Sequence, residues 1–119
     1  MQEDPRASKP IAKDMGRIVV YRTGIMGTAI QPTVEIDNVQ KGKCQPKGVF
    51  TADVPAGNRV VAATTEVRRE TVVTVERGKA SYVRCGIGFG VLVGQPRLEV
   101  VPEETGRTES AALAYTGHY

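Results

Sequence analysis

Short runs of β-branched residues, each closed by glycine, proline, asparagine or a charged turn, recur roughly every 8 to 15 positions along this chain. Such a rhythm leaves no stretch long enough for extended helices and specifies an all-β sandwich or barrel. Eight runs can be read. Arg17 to Arg22 comes first, and a loose Gly/Thr-rich stretch from Thr23 to Gln31 separates it from Pro32 to Asp37. In that second run Val34 and Ile36 alternate with Thr33 and Glu35, the pattern of a strand with one buried and one wet face. Asp37-Asn38 suits a two-residue hairpin because both side chains tolerate positive φ. Val39 to Cys44, Val49 to Asp53 with Phe50 inward, Arg59 to Val67, Thr71 to Glu76, Ala80 to Cys85 and Gln95 to Val101 complete the set.

The expected architecture is an antiparallel β-sandwich of about seven to eight strands over residues 15–101, with a loose segment 1–14 ahead of it. Residues 102–119 read as a tail, either a short helix or disordered. Pro102, Glu103 and Glu104 resemble a helix start, Gly106 interrupts it, and Ser110 to Tyr115 is a second place for a helix. At 12.8 kDa one domain is expected, and 40% hydrophobic with 24% charged residues is the balance of a globular chain.

Function classes fall away on composition. The net charge of +3 comes from 16 basic and 13 acidic residues scattered without a basic stripe, and with 5% aromatics and no Trp nothing favours nucleic acid. No apolar run approaches the roughly 20 residues of a membrane helix. The polar start Met-Gln-Glu-Asp-Pro carries no secretion signal, which fits a cytosolic protein or one whose targeting segment has been removed. His118 is the one histidine and falls in the expected tail, so no Ser/His/Asp triad or histidine-containing zinc set is expected on the folded body. Glu35, Asp37, Asp53, Glu66 and Glu76 read as carboxylates that keep strand edges soluble. The chain is accordingly expected to hold no metal and no cofactor, and not to be an enzyme.

The segment Ser81 to Gln95 is the most unusual: Cys85 precedes Gly86, Gly88, Gly90 and Gly94, interleaved with Ile87, Phe89, Val91, Leu92 and Val93. A dinucleotide fingerprint would need its third glycine three residues after the second and a helix behind it. Position 91 is Val and a strand follows, so the expected element is a β-β connection with glycine bends. If consecutive strands run antiparallel, the connections alternate between two ends of the sandwich. Asp37-Asn38, Pro55-Gly57 and Arg77-Lys79 then share one end. Thr23 to Gln31, Gln45 to Gly48, Arg68 to Glu70 and Gly86 to Gly94 share the other.

At this second end Ile25, Met26, Ile30, Phe89, Val91 and Leu92 form an expected apolar contact surface, with Gly86, Gly88 and Gly90 permitting close backbone approach. Replacing Phe89 and Leu92 with Ser is expected to abolish partner capture. Arg68 and Arg69 read as a solvated turn, with an anionic lipid surface as the alternative. Cys44 and Cys85 fall at the same end, where they form either a disulfide or two buried thiols; an oxidising compartment favours the first and the cytosol the second. A small-molecule or lipid pocket between the sheets is a second reading, and self-association through the apolar loops a third.

The order of these pieces resembles a family of bacterial cell-envelope proteins known as domain of unknown function 2846, many of whose members look like lipoproteins. The resemblance spans roughly Lys13 to Val101. It rests on Val19-Val20-Tyr21-Arg22, the Ile36-Asp37-Asn38 turn where the family usually has Asp-Gly, Val54-Pro55-Ala56-Gly57, Gly78-Lys79-Ala80-Ser81-Tyr82-Val83-Arg84, and the glycine-rich Gly86 to Pro96. What it implies is export through the envelope, an antiparallel β-sandwich and no assigned activity, with the signal peptide and lipidated cysteine of a typical member expected to have been removed.

 The localisation the resemblance implies is therefore the periplasm or outer membrane, with a lipid anchor in lipoprotein-like members, and the implied partner is an envelope protein or lipid. It supplies no catalytic residues.

Overall fold

Each of the eight runs becomes a strand, and the turns read at Asp37-Asn38, Gln45 to Gly48 and Arg77-Lys79 are turns, whereas Arg68 to Glu70 and Gly86 to Phe89 are strand. The computed structural model describes residues 9–24, 29–89 and 94–119. In chain order its elements are β1 (Met15–Tyr21), β2 (Thr33–Ile36), β3 (Val39–Lys43), β4 (Gly48–Pro55), β5 (Gly57–Thr64), β6 (Arg68–Val75), β7 (Ala80–Phe89), β8 (Gly94–Val101), α1 (Glu103–Ser110) and β9 (Ala114–His118). They form an all-β sandwich with one short helix. Its five-stranded sheet has the order β8-β7-β1-β4-β9, and its four-stranded sheet β3-β2-β5-β6.

The β2-β3 hairpin closes on Asp37 and Asn38, whose φ angles of 49° and 68° are the left-handed pair that a two-residue turn demands. Asp37 adds side-chain bonds of its own. Its Oδ1 accepts from the Val60 amide at 2.9 Å and its Oδ2 from Arg59 at 3.1 Å. The amide bond first, and then the guanidinium, hold this carboxyl below its ordinary range.

Between the sheets, alternate residues of both layers interdigitate: Ile18 and Val20 of β1, Phe50, Ala52 and Val54 of β4, Val34 and Ile36 of β2, Val61 and Ala63 of β5, Val73 and Val75 of β6. Burying each large aliphatic or aromatic side chain among them stabilises the fold by about 1.5–3 kcal/mol before entropy is counted. The opposite parity of β1 and β7 puts Val19, Tyr21 and Tyr82 on the outer face of the larger sheet, where Val49, Val101 and Leu113 join them in a second apolar cluster.

Three details depart from the sequence expectation. First, the five-stranded sheet is mixed, since β1 pairs with β7 and β4 with β9 in parallel. Strand direction still alternates along β1 to β8; β1 and β7 run the same way and become neighbours only after the chain has visited the other sheet. Second, residues 102–119 hold the short helix that was one of the two expectations, starting at Glu103, but end in a ninth strand that joins the sheet. Glu103–Ser110 is helical despite Gly106, because α1 lies so close to β7 that a Cβ at Gly106 would come within 2.2 Å of Tyr82 Cγ. Helix α1 then returns the chain for β9 to extend the sheet beyond β4. Third, β7 continues through Gly86 and Gly88 to Phe89, opposite β8 from Gly94, so these glycines belong to a ladder rather than to a loop.

Candidate functional site

The described strand ends that flank the connections assigned to one end fall at matching heights within each sheet. Tyr21 at the end of β1 is level with Val49 and Arg84, Thr33 is level with Lys43 and Thr64, and Phe89 pairs with Gly94. Cys44, just past β3, is bonded to Cys85 of β7, with Cα atoms 6.1 Å apart, so a disulfide ties the smaller sheet to the larger. Beside it Arg22 is 1% exposed and donates from Nη1 to the carbonyls of Ile30 (2.8 Å) and Cys44 (3.0 Å). Burial lowers its guanidinium from the ordinary arginine range. This strut from β1 to the chain before β2 was not read from sequence; the cue available was a cation ending the apolar run Ile18 to Tyr21.

The expected contact residues Ile25, Met26, Gly90, Val91 and Leu92 lie outside the described residues, as does the side chain of Phe89. Ile30 and Ile87 are half-buried and crowd Gly94, where a Cβ would approach Ile87 Cγ2 to 2.8 Å and Ile30 Cδ1 to 2.9 Å. Ile30 thus packs locally.

Arg68 and Arg69 are not a turn, since β6 already begins at Arg68, paired with Thr64, and the bend is Thr65 to Val67. Arg68 is spent on the smaller sheet, donating to Glu70 (3.0 Å), Glu35 (3.0 Å) and Asn38 (3.2 Å). Arg69 has the parity of inward-facing Val73 and reaches across the open side of the sandwich to Gln95 Oε1 of β8 at 2.8 Å.

Strands β6 and β8 are both sheet edges, and the seam between them holds a groove of about 600 Å³. Its lining includes Arg69, Glu70, Gly88, Gln95, Arg97 and Glu99. Around the corner, on the outer face, a smaller recess of about 210 Å³ is bordered by Arg22, Arg84, Gly86, Ile87 and again Arg97. The space between the sheets, by contrast, is filled with side chains at most 6% exposed.

His118 overturns a sequence expectation, because it belongs to β9 and the folded body. Its Nδ1 is 2.6 Å from Thr51 Oγ1 and its Nε2 is 3.3 Å from Asp53 Oδ2. Arg17 clamps the same carboxylate through Nε (2.7 Å) and Nη2 (3.0 Å), and the Tyr115 hydroxyl lies 2.9 Å from Thr51 Oγ1. Asp53 is likewise no edge-solubilising carboxylate; it is enclosed in this network. Carboxylate, imidazole and hydroxyl follow the connectivity of a nucleophile, base and orienting acid. Yet Thr51 is 0% exposed and its oxygen already has two partners, so the arrangement fastens β1, β4 and β9 together.

A second network seats α1. Glu109 Oε1 accepts from the Tyr21 hydroxyl at 2.6 Å, and both its oxygens accept from Arg84, at 2.8 and 2.9 Å. Glu99 takes the other nitrogen of Arg84 at 2.7 Å. Burial, reinforced by the bond to Glu109, pushes the Tyr21 hydroxyl well above the ordinary tyrosine range, while Tyr21 and then Arg84 hold Glu109 below that of a carboxylate. Among the described residues no three His, Cys, Asp or Glu side chains gather as a metal set, and no helix is long and apolar enough to cross a membrane.

Fold and site together define a disulfide-stapled β-sandwich with a polar groove along one open seam. The chain belongs to the family described as protein of unknown function (DUF2846), whose model matches residues 12–95. An uncharacterized protein of Haemophilus influenzae is 30% identical over 97 residues, covering 81% of this chain. The chain spans 58% of that relative's length. No solved structure matches it.

Proposed function

We propose that this protein is an exported envelope module of a bacterium, resident in the periplasm or lipid-anchored at the outer membrane, that binds a partner without catalysing a reaction. The observation that carries the reading is the Cys44–Cys85 bond between the sheets. Disulfides persist in oxidising compartments and are rare in the cytosol. The bond also fixes the end of the sandwich that bears the 23–31 and 90–93 connections, giving a binding surface a rigid base.

Reading the module as a binder follows from its open seam, and a ligand held between the sheets is disfavoured by a core already filled with side chains. The enclosure of Thr51, the hydroxyl beside His118, supports the reading of a binder over that of a hydrolase. The test is expression of the full-length gene with its native leader, followed by osmotic-shock fractionation and thiol titration in denaturant. Envelope fractionation with no titratable thiol is expected; a cytosolic protein with two free thiols would refute the proposal.

A further inference from the structure

We propose that the groove between β6 and β8 is an anion-binding site in which Arg69 and Arg97 hold a phosphate or carboxylate group. The proposal deepens the binding reading above by naming a ligand chemistry, and it holds whether or not the protein is exported.

The argument begins with charge. Four ionised side chains border the groove: Arg69, Glu70, Arg97 and Glu99. Both carboxylates are already engaged by arginines from elsewhere, Glu70 by Arg68 at 3.0 Å and Glu99 by Arg84 at 2.7 Å. The two guanidiniums are not engaged in return. Among the described residues Arg69 donates only to neutral acceptors, Gln95 Oε1 at 2.8 Å and the Arg68 carbonyl at 3.4 Å. Arg97 has neither an ion-pair nor a hydrogen-bond partner among the described residues. The groove therefore presents two guanidiniums that make no direct ion pair with a carboxylate among the described residues, although Glu70 and Glu99 stand on its border.

The backbone brings those cations together. Gln95, which Arg69 holds, stands opposite Gly88 in the β7-β8 ladder. Arg97 extends diagonally over that same Gly88, where a Cβ would lie 1.8 Å from Arg97 Nε and 2.6 Å from Cζ. Only a residue without a side chain lets the guanidinium rest there. Gly88 is thus a seat for Arg97, and its place in the glycine-rich segment acquires a physical reason. The absence of a side chain at Gly88 leaves the Arg97 guanidinium room beside the groove, within reach of a ligand there. The guanidinium's planar set of N–H donors matches the oxygens of phosphate and carboxylate.

The test uses the disulfide-intact protein, ¹⁵N-labelled and titrated with inorganic phosphate and separately with acetate at low ionic strength. Amide shifts are expected to concentrate at Arg69, Gly88 and residues 95–98 and to shrink with added salt. Arg97→Gln should weaken phosphate binding about tenfold, Arg97→Lys should weaken it less, and the double variant Arg69→Gln/Arg97→Gln should abolish it. Arg77→Gln, which alters an exposed arginine paired with Asp14, should leave it unchanged. Unaltered melting temperatures would show that the variants fold.

A second arm uses vesicles containing phosphatidylglycerol. Sedimentation with them that is lost in the double variant supports the site with a lipid headgroup as its source; phosphate binding without sedimentation supports it with a soluble anion. Shifts that are absent, or that persist undiminished in the folded double variant, would overturn the proposal. The fractionation result is independent of either outcome.

Discussion

Asp53 shows how much a single side chain can decide. It sits on β4 between Arg17 on β1 and His118 on β9, with side-chain exposures of 17%, 7% and 12% respectively. Asp53→Ala would strand the Arg17 guanidinium away from water, and breaking a buried pair in this way costs about 3–5 kcal/mol. Thr51→Val removes only the hydroxyl shared by His118 and Tyr115 and should cost about 1–3 kcal/mol. Urea denaturation of the two variants should rank them in that order. Glu109 provides the pH test. Its folded-state pKa is depressed, so its stabilisation is complete above the unfolded glutamate pKa and is lost as pH falls through the folded value. Melting temperatures measured through the acid range should fall less steeply for Glu109→Gln than for the wild type.

At the scale of elements, α1 and β9 are the instructive pair. Helix propensity alone makes Gly106→Ala stabilising by about 1 kcal/mol. The contact with Tyr82 reverses the sign: the added methyl would collide with Cβ and Cγ of a buried ring, and overpacking costs about 1–3 kcal/mol. A lowered melting temperature for Gly106→Ala is expected, and a raised one would show that α1 has room to shift. For β9, Ala-Tyr-Thr-Gly-His has neither alternation nor a β-branched run. Its strand character comes from the β4 edge it joins, where Asp53 donates its amide to the Tyr119 carbonyl and Tyr119 donates to Thr51, both at 2.8 Å. Such an element cannot be read locally because its cause is a partner more than 60 residues away. Asp37-Asn38 was legible for the opposite reason, since a two-residue turn is settled by the residues that form it.

The whole molecule is held by two sheets, a filled interface and one covalent tie. The Cys44–Cys85 bond closes a sequence separation of 41, for which the chain-entropy relation gives about 4 kcal/mol of stabilisation. Denaturant midpoints with and without reductant should differ by that order, and Cys44→Ser/Cys85→Ser should match the reduced protein. A much smaller difference would mean that the core dominates and that the tie mainly limits motion at the loop-bearing end.

The sequence by itself determined the eight-strand rhythm, the hairpin at Asp37-Asn38, the inward course of Phe50 and the gathering of both cysteines at one end. Alternation, turn chemistry and strand direction are local properties, and direction accumulates along the chain whatever the sheet order. Only the tertiary structure decided that β1 and β7 lie parallel, that His118 closes on Asp53, and that Arg97 rests over Gly88 while Arg68 is spent elsewhere. Those outcomes depend on which strands become neighbours and which charges find partners, and both are set by packing between segments far apart in sequence.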